Sequence, residues 1–217
     1  MTKGIVHRVH HVRHLDAATY VLRFDRHGLS FEPGQYVTLG FHGSIAMRDY
    51  SIYSGADDDF LEVLVRQVRG GLVSRALARC EPGDALAMEG PHGFFVTTAE
   101  ERGSARYLFV ATGTGISPFH CMTRSYPRID YQLLHGVRAG GECYDSVAFD
   151  PARYVACLSR QPGAGFSGRV TRYLREHRVD PGCLCYLCGN SAMINEAFAL
   201  LRNQGVPREH LFAEVYF

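Results

Sequence analysis

The chain has 217 residues, of which 46% are hydrophobic and 21% charged, with a formal net charge of +1. That length suits two domains of about 100 residues each, and the ordinary apolar fraction excludes a disordered chain. The near-neutral balance gives no global pull toward nucleic acid or an anionic membrane, and no apolar run reaches the roughly 20 residues of a membrane helix.

The N-terminal MTKGIVHRVHH lacks the apolar core of a signal peptide, and seven cysteines are an odd number. Reduced thiols in a cytoplasm are therefore the expectation. His7, His10, His11 and His14 alternate with Val6, Val9 and Val12, which predicts a strand with a basic, solvated outer face rather than a metal cluster.

Residues 1–98 read as short strands separated by turns. VRHLDAATYVLRFD, PGQYVTLGF, RDYSIYSG, DFLEVLVRQV and GDALAMEGP each hold strand-forming residues bounded by Gly, Pro or Asp. One helix interrupts them, GLVSRALARC, ended by EPGD. Many short strands with little helix predict a small antiparallel barrel or sandwich.

TTAEERGS, residues 97–104, reads as the boundary, and the pattern changes over residues 104–217. RYLFVAT, DYQLLHGVR, RYVACLS and CLCYLCG are apolar strands alternating with helical stretches, which predicts a parallel sheet covered on both faces. In SPFHCMTRS, Ser117 is the expected cap and Pro118 the first helical residue. SAMINEAFALLRNQG places Met193, Ile194, Ala197, Phe198, Leu200 and Leu201 on one face, and Gly205 ends it. Cys183, Cys185 and Cys188 read as part of a buried strand, because metal knuckles sit on polar turns. LFAEVYF reads as a terminal strand completing the sheet.

Four places could hold chemistry. Arg48, Tyr50 and Ser51 put a cation, a flat ring and a hydroxyl within four positions. GTGISPF, residues 113–119, joins a strand to a helix, where glycines allow close approach and free amides favour an anion. The same residues also suit a turn with no ligand. Ser159, Arg160 and Arg169 flank a flexible loop and suit a phosphate monoester, although arginines on loops are commonplace. CGN, residues 188–190, stands at the end of a buried strand, where open α/β sheets bind ligands.

Taken in order, RDYS, GGLVS (70–74), GPHGF (90–94), GTGISPF, HGVR (135–138), the Ser-Arg and Gly-Arg pairs, CGNSAMI and EVYF resemble the ferredoxin–NADP⁺ reductase family across essentially the whole chain. The resemblance implies an N-terminal antiparallel Greek-key β-barrel carrying FAD and a C-terminal Rossmann-like α/β domain binding NADP, with NAD as an alternative. It assigns Arg48 to the FAD pyrophosphate, Tyr50 to a shelf under the isoalloxazine, Ser51 to its N5 edge and Ser74 to a second pyrophosphate contact. Ile52, Val65, Gly71, Leu72, Val73 and Thr114 complete the FAD neighbourhood. Gly113, Gly115, Ser159, Arg160, Arg169, Gly189 and Met193 are assigned to NADP. Ser51, Cys188, Glu214 and Tyr216 are the catalytic set, no metal is implied, and Tyr216 rather than the extra Phe217 is counted as the ring covering the flavin.

The implied activity is hydride transfer between NADPH and FAD, with electrons passed to a ferredoxin or flavodoxin. The chain ends where the family core ends, so that carrier is expected to be a separate protein. Alternatives are the reductase component of an oxygenase, a flavin or quinone reductase, or a non-catalytic FAD-binding relay. The expected state is a monomer or weak dimer with no nucleic-acid or membrane partner.

Overall fold

The computed structural model describes residues 5–161 and 163–216, so Pro162 and Phe217 lie outside it. The chain divides into two compact units: residues 1–96 with 120–125, and residues 97–119 with 126–217.

The first unit is a six-stranded antiparallel sheet in the order β4-β3-β6-β1-β2-β5. Its strands are β1 (His7–His14), β2 (Thr19–Asp25), β3 (Tyr36–Phe41), β4 (Met47–Ser51), β5 (Phe60–Arg66) and β6 (Ala85–His92). The two outer strands meet through a bridge between Ile52 and Val63, which closes the sheet into a barrel. Closure removes the exposed edge that an open sheet would present. Tyr20, Leu22, Phe24, Val37, Leu39, Ile52, Val63 and Leu86 fill its interior.

Several boundaries differ from those expected. The long N-terminal run is two strands, because the Asp16 carboxylate accepts from the Ala18 and Thr19 amides at 2.6 and 2.7 Å and folds Leu15–Ala18 into a turn. His7 does not face solvent. It is buried, and its Nδ1 donates to the Asp25 carbonyl at 2.7 Å, while a register shift between Val9 and His11 changes the alternation. His10 does stay exposed, against the Asp25 carboxylate at 2.9 Å. Helix α1 is Leu72–Leu77, shorter than GLVSRALARC, since Arg79 and Cys80 bond back three residues and tighten its last turn.

Residues 97–104 are not an open linker. Thr98 and Glu101 form a capping box that starts α2 (Ala99–Ser104). The second unit then builds an all-parallel sheet in the order β10-β9-β8-β7-β11-β12, from β7 (Arg106–Thr112), β8 (Asp130–Val137), β9 (Tyr154–Leu158), β10 (Phe166–Ser167), β11 (Leu184–Gly189) and β12 (Leu211–Val215). Strand alternation sorts its two faces. Leu108, Val110, Cys185 and Leu187 join an aliphatic core with Ile194, Ala197 and Leu201 of α5 (Ser191–Asn203). Phe109, Phe119 and Tyr131 stack on the other face, where Tyr186 stacks on Phe212. Cys183 and Cys185 therefore share one face and Cys188 takes the other, each buried. Gly205, at φ +94°, follows α5 as expected.

Ser117 is not a cap. A 3-10 turn, Gly113–Ile116, runs directly into α3 (Ser117–Ser125), and the Ser117 hydroxyl donates to the Thr114 carbonyl at 2.7 Å. Among the described residues, no helix is long and apolar enough to cross a membrane.

Candidate active site

In the barrel, Arg48 and Tyr50 stand two residues apart on β4 and so share a face. Arg48 is exposed, and its Nη1 donates to the Met47 carbonyl at 2.7 Å. Among the described residues no carboxylate pairs with it, so most of its donor fork is available to an anion. Tyr50 is half-buried against the barrel core, and burial pushes its phenol up to about 12, so the ring is neutral near pH 7. Ser51 is buried opposite Tyr36.

The second cluster in this unit is the Gly71–Ser74 turn. Gly71 precedes α1 without a side-chain cap and with no acidic residue in the first turn. A Cβ on Gly71 would sit 2.8 Å from the Ser74 Oγ, so a side chain there would push into the hydroxyl. The Ser74 Oγ accepts from the Val68 amide at 3.2 Å, and its carbonyl accepts from the Tyr20 hydroxyl at 2.6 Å. Leu72 is exposed, whereas the side chains of Ile52, Val65 and Val73 are in the barrel core, which leaves only their main-chain atoms for a ligand. A fork of guanidinium donors, a flat neutral phenol and a glycine-lined turn fit a flavin dinucleotide.

In the second unit the strand order reverses between β7 and β11, the switch point where open α/β sheets take ligands at their carboxyl ends. Both glycine turns meet there. Gly113 has φ +55°, in the left-handed region. A Cβ on Gly115 would lie 2.4 Å from the Cys188 carbonyl oxygen, and one on Gly189 would lie 2.1 Å from the Thr112 Oγ1. The two loops pack backbone to backbone, a cradle that any side chain would fill. Asn190 closes it: its Nδ2 donates to Thr112 Oγ1 at 3.1 Å while its Oδ1 caps α5 through the Met193 amide at 2.9 Å. The Met193 side chain itself is buried in the aliphatic core.

Cys188 lies beside Glu214 in the β11–β12 register, and the Tyr216 amide donates to the Gly189 carbonyl at 2.8 Å. Three of the catalytic candidates thus converge at one strand end. Burial first, then the Glu214 carboxylate, raises the Cys188 thiol well above its ordinary value, against a smaller opposing contact with Tyr216. Cys188 is therefore a protonated, polarizable group and not a thiolate nucleophile. Phe217, the alternative covering ring, lies outside the described residues.

Ser159 and Arg160 follow β9, and Arg169 precedes α4 (Val170–Glu176). Both guanidinium groups are exposed, with no ion pair among the described residues. The Ser159 hydroxyl proton is already donated to the Val137 carbonyl at 3.0 Å, so the two arginines are the readier phosphate donors. His135, in the HGVR segment, carries no chemical signal in its sequence spacing. It is fully buried, bonded to the Gly113 carbonyl and to the Tyr154 hydroxyl.

Residues 6–96 match the oxidoreductase FAD-binding domain. A two-unit chain with that domain and a parallel sheet carrying glycine turns at its switch point defines a flavin-dependent oxidoreductase. Ferredoxin–NADP reductase B of Sorangium cellulosum is 33% identical over 89% of this chain and 88% of its own length. The chain belongs to the ferredoxin–NADP reductase family. The toluate 1,2-dioxygenase electron transfer component of Pseudomonas putida is 29% identical over 96% of this chain, which spans 66% of that protein. A ferredoxin NADP+ reductase from Neisseria gonorrhoeae, solved with FAD and NADP, superposes with TM-score 0.87 over the whole of both chains at 23% identity, a likeness of fold. An Amycolatopsis cytochrome P450 reductase gives TM-score 0.87 at 28% identity, over 97% of this chain and 68% of that one.

Proposed function

We propose that this chain is an NADPH-dependent FAD reductase that passes electrons to a small carrier protein, a ferredoxin or flavodoxin. The observation that carries the reading is the coexistence, in one family member, of the Arg48–Tyr50 shelf on an FAD-binding barrel and the paired glycine turns at the switch point of a parallel sheet. FAD, when bound, supplies the redox chemistry by taking an electron pair from the nicotinamide and releasing it to the acceptor.

The chain's own residues bind and orient. Arg48 holds the FAD pyrophosphate through charge-assisted bonds, with Ser74 and the Gly71 turn as the second contact. Tyr50 supports the flat ring system, and Ser51 addresses its polar edge. Gly113, Gly115 and Gly189 let the backbone approach the nicotinamide nucleotide, the Thr114 side chain serves the flavin edge, and Arg160 and Arg169 receive the nucleotide's 2′-phosphate. Cys188 and Glu214 flank the nicotinamide end, where they orient rather than exchange protons, and the Tyr216 ring covers the flavin face that the nicotinamide must reach, gating its access.

A second reading, the reductase component of an oxygenase, is favoured by the similarity to the toluate dioxygenase component, of which this chain spans 66%. NADPH-driven turnover against a panel of ferredoxin, flavodoxin, quinone and free flavin tests the acceptor. The highest kcat/KM is expected with one of the two carrier proteins. A preference for quinone or free flavin refutes that assignment.

A further inference from the structure

His135 sits on β8 beside Ala111 of β7, with no exposed surface. Its Nε2 is 2.9 Å from the Gly113 carbonyl oxygen and its Nδ1 is 2.9 Å from the Tyr154 hydroxyl. A carbonyl oxygen only accepts, so Nε2 carries the proton, and Nδ1 therefore accepts from Tyr154. Burial lowers the His135 pKa to about 4, so the ring is neutral at physiological pH. Tyr154 is in turn stacked on Phe149, ring centroids 5.5 Å apart, and Tyr144 lies 6.2 Å from the imidazole on another side. The ring has one tautomer and little room to rotate.

Its acceptor is what gives this packing a consequence. Gly113 is in the left-handed region at φ +55°, and the peptide that follows it is free to flip more readily than one flanked by two side chains. A trans peptide is planar, with its carbonyl and the next amide pointing opposite ways. Anchoring the Gly113 oxygen therefore fixes the direction of the Thr114 N–H. An apolar ring of similar size would fill the core without the desolvation cost of a buried imidazole.

We propose that His135 is a positioning residue for the nicotinamide nucleotide: it donates Nε2–H to the Gly113 carbonyl and so sets the Thr114 amide toward the bound nucleotide, with Tyr154 holding the imidazole in the required tautomer. The inference rests on the Gly113–Ile116 turn being part of the nucleotide site. The turn contacts a part of the molecule common to NADP and NAD, so both must depend on His135 equally, unlike the arginines at the 2′-phosphate.

The test uses the FAD-loaded protein and calorimetric Kd values for NADP+ and NAD+, with KM and kcat alongside. His135→Phe should raise both Kd values by the same factor, about five- to thirtyfold, as expected for one lost bond and one orphaned buried carbonyl. The loss should fall on KM more than on kcat. His135→Gln, which retains a donor, should recover to within about threefold of the wild type. Wild-type Kd values in a folded His135→Phe protein overturn the proposal, as does a loss confined to NADP+ or a Gln variant no better than Phe. Should His135→Phe fail to fold, Tyr154→Phe decides: weakened binding of both nucleotides supports the proposal and unchanged binding overturns it. A wild-type protein that binds neither nucleotide overturns the reading of the turn itself, and the inference with it.

Discussion

Arg48→Ala is the sharpest test of the flavin side. The guanidinium is exposed on β4, tied only to the neighbouring Met47 carbonyl, with no carboxylate partner among the described residues. Its removal should cost the fold little, because nothing buried is orphaned. Against a pyrophosphate it would supply charge-assisted hydrogen bonds, together worth about 1.5–3 kcal/mol, or about ten- to a hundredfold in affinity. Its exposure draws the expectation toward the lower end, because solvent and salt screen the charge. Arg48→Lys keeps the charge but loses the planar fork, and should fall between the wild type and Ala. The assay is a fluorescence titration of apoprotein with FAD at two salt concentrations, with thermal melting as the control on folding. An Ala variant with wild-type FAD affinity, or released cofactor that proves to be FMN, would refute the assignment.

Arg160→Ala should raise the KM for NADPH and leave NADH nearly unchanged, and equal losses for both would remove Arg160 from the 2′-phosphate. Cys188→Ala should slow flavin reduction in stopped flow while FAD stays bound; an unchanged rate returns Cys188 to a packing role in the sheet. Tyr216→Ser should tighten NADP+ binding, since ring stacking worth about 0.5–1.5 kcal/mol no longer competes with the nicotinamide. A weakened NADP+ complex would contradict that gating role. Acidification should destabilise the second unit through His135. Its folded pKa of about 4 lies below its ordinary 6.5, so the unfolded chain binds more protons between those values and stability falls as the pH drops through them. The loss between pH 7 and pH 5 is about 2 kcal/mol, and in urea unfolding His135→Gln should lack it. If the variant shows the same pH dependence as the wild type, His135 is not the group responsible.

Much of this was legible because local chemistry and tertiary context agree. Period-two runs bounded by Gly and Pro became the barrel strands, and the apolar runs RYLFVAT and CLCYLC became the central β7 and β11. The failures have identifiable causes. The Leu15–Ala18 turn contains neither Gly nor Pro and depends on a single Asp16 carboxylate capturing two amides. His7 turned inward because it stands two residues before buried Val9 on the same face of β1, and a basic outer face was expected for it instead. The α2 helix was signalled by Thr98 and Glu101 but carries no buried residue, so no hydrophobic stripe announced it. His135 was visible only as one letter of HGVR. Its role depends on a carbonyl in a different strand–helix turn, and sequence spacing cannot show such a contact.

In this reading the chain takes electrons from a nicotinamide nucleotide on to bound FAD. The most direct measurement mixes the purified, FAD-loaded protein with NADPH under anaerobic conditions and follows the visible flavin absorption in stopped flow. The band should bleach, faster with NADPH than with NADH. A flavin that stays oxidised with both nucleotides would contradict it and leave an FAD-binding relay in its place.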